Sequence, residues 1–355
     1  MIEPIYIHGK GGISIQPTTE PDYFFDRILP YTQNPIPACD PDYKALIPPL
    51  QLRRMNKSMR MAIFTSQLAL QEANRTTVDA VITGSGLGCL RDSERFVEAL
   101  LADERQALNP TPFIQSTHNM AAAAIALALK CKGYNMTYIN NANSFESALL
   151  DGMVYLSEHP NDTILLGAVD ELGERTTEFW NIAEYLKHDA PAIPTPLPLR
   201  AAAAPGEIAA EGATFFVASR QPGASAIGKV TAVETCLEAD NPTTFVSRFL
   251  QKNGLDAPAI DAVLLGYNGD SRYDDSYRTV AQALFAETPC VGFKHVLGEF
   301  DTVIAAALAL ALQILNKQRI PATVQLSGPQ PQELTRLLIY TQRRGKNHGV
   351  MLVER

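Results

Sequence analysis

Asp79-Ala-Val-Ile-Thr-Gly-Ser-Gly-Leu-Gly88 is the stretch on which the reading of the fold depends. Its short β-branched run, Ala80–Thr83, reads as a strand. The small-residue-rich stretch Gly84-Ser-Gly-Leu-Gly88 makes the turn, and Arg91 to Ala102 has the spacing of an amphipathic helix. The opening Val78-Asp-Ala-Val-Ile-Thr-Gly84 returns as Ile260-Asp-Ala-Val-Leu-Leu-Gly266, again an acid, a strand and a glycine exit. The apolar helix expected at Met120–Lys130 has a similar counterpart at Thr302–Leu315. Such repetition predicts two similar halves meeting near Pro222–Ala226.

Outward from this core, Tyr134–Asn140, Thr163–Gly167 and Ala213–Ala218 read as strands, and Ser147–Ser157 returns to helical spacing. Strands alternating with helices predict a layered α/β fold with substantial parallel sheet. Met120–Lys130 is so apolar that it predicts burial on most sides. The Pro/Gly-rich stretches Pro35–Pro49 and Pro191–Gly206 read as long connections, either partner-facing or simply surface loops.

Bulk properties narrow the function classes. The 355 residues carry 30 basic and 38 acidic side chains, a formal charge of -8, which argues against a broad nucleic-acid footprint. Five scattered cysteines without a CxxC pair read as reduced thiols. The first ten residues lack the basic and apolar regions of a signal peptide. The most apolar run, Val303–Leu315, is about one-third too short to span a bilayer. These features predict a cytoplasmic chain without a membrane segment.

Several familiar chemistries are not spelled out. The glycine turn departs from GxGxxG because Cys89 stands where the third glycine belongs, so a close-packing turn is expected rather than a phosphate cradle. The six histidines are far apart, with no HxxxH spacing, and no metal or cofactor site is specified. There is no GxSxG elbow, and no nucleophile lies next to a base.

The order of motifs resembles the β-ketoacyl synthases, enzymes of the thiolase fold that condense acyl groups on acyl carrier proteins. Arg53-Arg54-Met55 resembles the family's RRM segment, Asp79–Gly88 its strand and GTGxG turn, and Asn119-Met-Ala-Ala-Ala123 its NMAA helix start. Leu166-Gly-Ala-Val-Asp170 resembles the GGAE strand end, and Ala210-Glu211-Gly-Ala213 the GEGA segment, so Glu211 is a retained position. The resemblance implies a thiolase-like fold in an α/β/α/β/α layering, with halves at 1–220 and 221–355.

Carried over residue by residue, the catalytic set is missing. The family's nucleophilic cysteine stands at a helix N-terminus, where dipole and amides favour the thiolate. In Tyr138-Ile-Asn-Asn-Ala-Asn-Ser144 that position falls on Ala142, whose methyl group attacks nothing. The first family histidine maps to Asn268 in Gly266-Tyr-Asn-Gly-Asp-Ser271. The second maps to Glu299 in Lys294-His-Val-Leu-Gly-Glu299, with Lys294 retained. An ionised Glu299 would repel the enolate that two histidines normally stabilise. The family's nearby carboxylate maps to Leu308, so Lys294 either pairs with Glu299 or stays solvated. Gln342–Gly349 replaces the GFGGTN loop.

Loss of all three catalytic members resembles the chain-length factors of type II polyketide systems, including those making aryl polyenes, which pair with an active ketosynthase. The resemblance implies a heterodimer formed by antiparallel pairing of the strand at Thr137, Tyr138, Ile139 and Asn140, and carrier-protein contact through the partner. Met120–Lys130 would then lie between subunits; the alternative is a core helix of a monomer. Phe113, Ile114 and Gln115 are placed at the tunnel end. Arg53–Arg60 and Arg343–Lys346 are each either a carrier dock or a solvated face, the latter preferred for the tail. An acyl-transfer or decarboxylating enzyme of altered mechanism, using Ser144 or Asp270, is the alternative function, and a free-standing homodimeric scaffold a further one.

Overall fold

The computed structural model describes residues 3–20, 22–102, 108–188, 204–223 and 226–355. Most of the Pro191–Gly206 stretch, and part of the Pro222–Ala226 junction, lie outside the described residues. The strands are β1 (Ile5–Ile13), β2 (Ala80–Gly84), β3 (Asn135–Tyr138), β4 (Thr163–Asp170), β5 (Gly212–Ser219), β6 (Gly228–Cys236), β7 (Ala262–Leu265), β8 (Cys290–Gly292), β9 (Gln325–Ser327), β10 (Arg336–Arg343) and β11 (Lys346–Glu354). They form one sheet in the order β3-β2-β4-β5-β1-β6-β11-β10-β7-β8-β9.

This order has an internal symmetry. β3, β2 and β4 run parallel, and β5 and β1 follow antiparallel. From the far side β8, β7 and β10 run parallel, and β11 and β6 follow antiparallel. The halves join where β1 pairs with β6, Ile5 opposite Val230. The repeated acid–strand–glycine segments occupy equivalent places, as β2 and β7.

The helices alternate with these strands: α1 (Pro49–Leu52), α2 (Lys57–Glu72), α3 (Leu90–Ala102), α4 (Pro110–Gln115), α5 (Met120–Leu129), α6 (Ser144–Glu158), α7 (Glu174–Ile182), α8 (Pro242–Lys252), α9 (Asp275–Leu284), α10 (Lys294–Leu297) and α11 (Val303–Lys317). Period-2 alternation along the strands sorts side chains between layers. Val81 and Leu165 face α2 and α5, whereas Ile82 and Leu166 face α6 and α11. In the second half Val263 and Leu338 face α8 and α9, and Leu264 and Ile339 face the middle helices. The result is five layers, α/β/α/β/α. Ten residues of α11 are buried, at about 1.5–3 kcal/mol for each large aliphatic side chain.

Two sequence expectations are corrected. The topological counterpart of α11 is α6, since both follow the third strand of their half; α5 corresponds to α9. Similar alanine-rich composition had pointed to the wrong pair. Moreover, α5 is not buried on most sides: only Ala121, Ala122 and Ile125 are, and Leu127 is 81% exposed. The edge strand spans Asn135–Tyr138 rather than reaching Asn140. Among the described residues no helix is long and apolar enough to cross a membrane.

Candidate functional site

The turn between β3 and α6 holds Ala142, the position to which the resemblance assigns the nucleophile. Asn141 is left-handed (φ 47°), a conformation asparagine tolerates better than most residues. Ser144 closes the turn on itself: its Oγ accepts the Asn140 N–H at 2.9 Å and donates to the Asn141 carbonyl at 2.6 Å. That hydroxyl is buried and engaged with backbone, with no base in its hydrogen bonds. Ala142 is also buried and offers only a methyl group. Asn143 ties the turn to the second half, donating to the carbonyls of Asn347 at 3.1 Å and His348 at 3.4 Å.

Opposite, the segments after β7 and β8 supply Asn268, Lys294 and Glu299. Glu299 Oε2 accepts from both Asn268 Nδ2 and Lys294 Nζ, each at 2.8 Å. Lys294 also donates to the Gln342 carbonyl at 3.2 Å. The Lys294–Glu299 pair is almost completely buried. Burial pushes the Glu299 carboxyl up and the Lys294 ammonium opposes it. An isolated buried charge is strongly unfavourable, so each ion keeps the other. Asp270 is held by Arg272 at 2.7 Å and is not a free acid or base.

A second ion cluster stands beside this pair. Glu207, fully buried, accepts from Arg343 at 3.0 Å and Arg344 at 2.5 Å, and Arg343 also pairs with Asp301. Trp180 lies against both guanidiniums, and Arg344 stacks on Tyr185 at 3.8 Å. Arg343 and Arg344 are therefore not a solvated basic tail, which corrects the sequence expectation: the buried Glu207 and the partly buried Asp301 hold them. Lys346 is the well-exposed cation of that run, paired with Glu238.

Asp170, at the end of β4, fastens the halves together. Its Oδ1 accepts from Ser85 Oγ (3.1 Å), Gly86 N (2.8 Å) and Leu87 N (3.4 Å). Its Oδ2 accepts from Thr302 N (2.9 Å) and Oγ1 (2.7 Å). Burial, with nearby Asp301, raises its pKa to about 6. The turn's amides are thus spent on Asp170, and a Cβ at Gly86 would lie 2.1 Å from Asp301. The glycine-rich turn is a close-packing device, as its sequence predicted.

Two further positions have structural partners. Glu211 is fully buried and accepts from Ala38 N (3.0 Å), Leu172 N (2.9 Å), Arg91 (3.3 Å) and Lys57. Phe113 and Ile114 are exposed on α4, Phe113 tilted against Phe96 at 5.1 Å, and Gln115 donates to the Arg54 carbonyl at 2.8 Å. Arg53, Arg54, Arg60 and Arg95 line an open groove beside them.

Sequence reading missed Glu146, Glu207 and Asp301. Glu146, in the first turn of α6, is completely buried against Gly349. Its Oε1 accepts from Asn143 at 3.3 Å and its Oε2 has no partner. Burial pushes its pKa up to about 7. An acid within an apolar helical stripe, Phe145-Glu146-…-Leu149, was the available signal.

The parallel strands, the symmetric halves and the five layers define a thiolase-type fold. Residues 30–190 match the family model described as beta-ketoacyl synthase, N-terminal domain. No curated protein matches the sequence. Among solved structures, a beta-ketoacyl synthase from Burkholderia phymatum STM815 superposes with a TM-score of 0.81 at 16% identity, covering 99% of each chain. The ishigamide ketosynthase/chain length factor gives 0.80 at 17% identity, covering 100% of this chain and 99% of the other. The ketosynthase ApeO in complex with its chain length factor ApeC, from Xenorhabdus doucetiae, gives 0.75 at 16% identity, covering 99% and 98%.

Proposed function

We propose that this chain is a non-catalytic, chain-length-factor-type subunit. It pairs with an active β-ketoacyl-acyl carrier protein synthase in cytoplasmic fatty-acid or polyketide biosynthesis, with an aryl polyene pigment among the products considered. Its N-terminal ketosynthase-like half is residues 1–220 and its C-terminal half 221–355. The observation that carries the reading is the state of the three catalytic positions. Ala142 supplies no nucleophile, and Asn268 and Glu299 are consumed in a buried cluster with Lys294. Members of a catalytic unit act together, so loss of all three removes the condensing chemistry rather than weakening it.

The partner-facing surface is the β3 edge. β3 is the outermost strand, and Leu127 of α5 and Met136, Ile139 and Leu150 around it are exposed. An open, apolar edge strand is a template for pairing with another chain. Thr137, Tyr138, Ile139 and Asn140 then become interface residues, Phe113, Ile114 and Gln115 border the partner's acyl tunnel, and the arginine groove beside them offers charge to an acidic carrier protein.

Co-expression with a ketosynthase from the same gene neighbourhood tests this reading, using native mass spectrometry and a malonyl-carrier condensation assay. A one-to-one complex is expected, with turnover that depends on the partner's cysteine. Condensation or decarboxylation by the chain alone would sink the reading and favour the altered-mechanism enzyme.

A further inference from the structure

The open edge carries a charge that no cation among the described residues balances. α6 runs beside β3, and its outer face presents Ser147, Leu150, Asp151 and Val154. Asp151 is half-buried at the rim of two phenols: Tyr134 donates to its Oδ1 at 3.3 Å, and Tyr138 adds a further favourable contact. Its Oδ2 is covered and lacks a hydrogen bond of good geometry. Burial raises its pKa, the phenols oppose the rise, and no cation contributes.

The sequence explains why. Between Lys132 and Arg175 there is no lysine or arginine, so the acids of β3 and α6 are Glu146, Asp151 and Glu158 without a basic residue among them. His159, just past the helix, packs its ring on Tyr155 at 4.5 Å. Lys130 belongs to the end of α5, which packs on the other face of the sheet.

A closed two-fold pair must be self-complementary, because both copies present the same patch. Here a second copy brings a second Asp151 to the α6 side; Arg220, which donates to the Ser157 carbonyl at the far end of α6, does not contribute at Asp151. Like charges brought together at an interface cost enough to exclude a partner, whereas opposite charges specify one. We infer that the α6 side of this edge selects a non-identical subunit that presents a lysine or arginine to Asp151, and that Asp151 is the residue opposing pairing with a second copy. The inference rests on the reading of β3 as the pairing strand.

Sedimentation velocity and native mass spectrometry test it, on the chain alone and co-expressed with the neighbouring ketosynthase. The wild-type chain alone should stay monomeric. Asp151→Asn, which removes the charge and keeps the shape, should self-associate on the order of tenfold more tightly. The same variant should weaken the mixed complex about tenfold and flatten its salt dependence. Asp151→Glu, keeping the charge, should behave as wild type. A stable wild-type homodimer, or an Asp151→Asn variant that shifts neither equilibrium, overturns the inference. Thr137→Pro separates it from its premise. If proline leaves the mixed complex intact, the β3 reading itself fails. If proline abolishes the complex and Asp151→Asn changes nothing, only the role of Asp151 fails.

Discussion

β3 and β8 hold the same place in the two halves of the sheet, yet they end it differently. β8 is covered by the short antiparallel strand β9, with Cys290 opposite Ser327. β3 has no strand beyond it among the described residues. The same contrast recurs in the buried carboxylates. Glu299 in the second half is neutralised by Lys294, whereas Glu146 in the first half has no basic partner and keeps an unpaired oxygen. The first half thus leaves a strand edge open and one oxygen of a buried acid unpaired. The open β3 edge is the side that the proposed heterodimer assigns to the partner.

The largest effect should come from closing the open edge. The registers of β2 and β3 turn the peptide groups of Tyr134, Met136 and Tyr138 toward β2, leaving those of Asn135, Thr137 and Ile139 outward. Thr137→Pro deletes an outward donor without cutting a β2–β3 bond. It should lower affinity for the ketosynthase partner by on the order of a hundredfold in a titration. Leu326→Ala in the capped edge should leave that affinity unchanged.

Next comes the paired carboxylate. Lys294→Met leaves Glu299 buried alone and should destabilise the chain by about 3–5 kcal/mol in urea denaturation. Adding Glu299→Leu should recover most of the loss. If the single variant costs nothing, the ion pair is not what holds the second half's site closed.

The unpaired carboxylate should respond to pH instead. Glu146 has a folded pKa of about 7 against an ordinary 4.5, so the folded chain binds the extra proton between those values. Its stabilising contribution is present below about pH 4.5 and is lost as pH rises through about 7. Glu146→Gln should therefore raise stability at pH 8 by on the order of 3 kcal/mol and have little effect at pH 4. A stability difference independent of pH would show that Glu146 is not the titrating group.

The smallest effect is expected at Ser144. Its hydroxyl bonds only to the backbone of its own turn, so Ser144→Ala should cost about 1 kcal/mol. It should also leave the activity of the co-expressed complex unchanged in the condensation assay. A loss of turnover with intact folding would instead reveal chemistry in this chain.

The strands and the two halves were legible because each rests on local pattern: an acid, four β-branched or aliphatic residues, then glycine. Ala142 and Glu299 differ in residue type from what condensing chemistry needs, and their assignment to the catalytic positions rests on the resemblance. The burial of Arg343 and the pairing of Arg344 were not legible. They depend on Glu207 and Asp301, which the chain folds back from 136 and 42 residues away. Nor could composition distinguish α5 from α11: both are runs of alanine and leucine, but only the topology decides whether core or solvent meets them. Pairing two similar helices on composition failed for the same reason.

The junction of the halves has a consequence for synthesis. β1 lies at the centre of the sheet, between β5 and β6, which leave the ribosome about 200 residues after it. At about 5–20 residues per second, the first strand waits roughly 10–40 seconds for either neighbour. Until residue 230 or so has emerged, the nascent chain has no middle to its sheet. Loop-closure entropy must be met before these long-range contacts reward it. A chain built this way is exposed to early aggregation for most of its translation. Its yield in a cell should therefore depend more on the pace of elongation and on chaperones than on the stability of the finished fold.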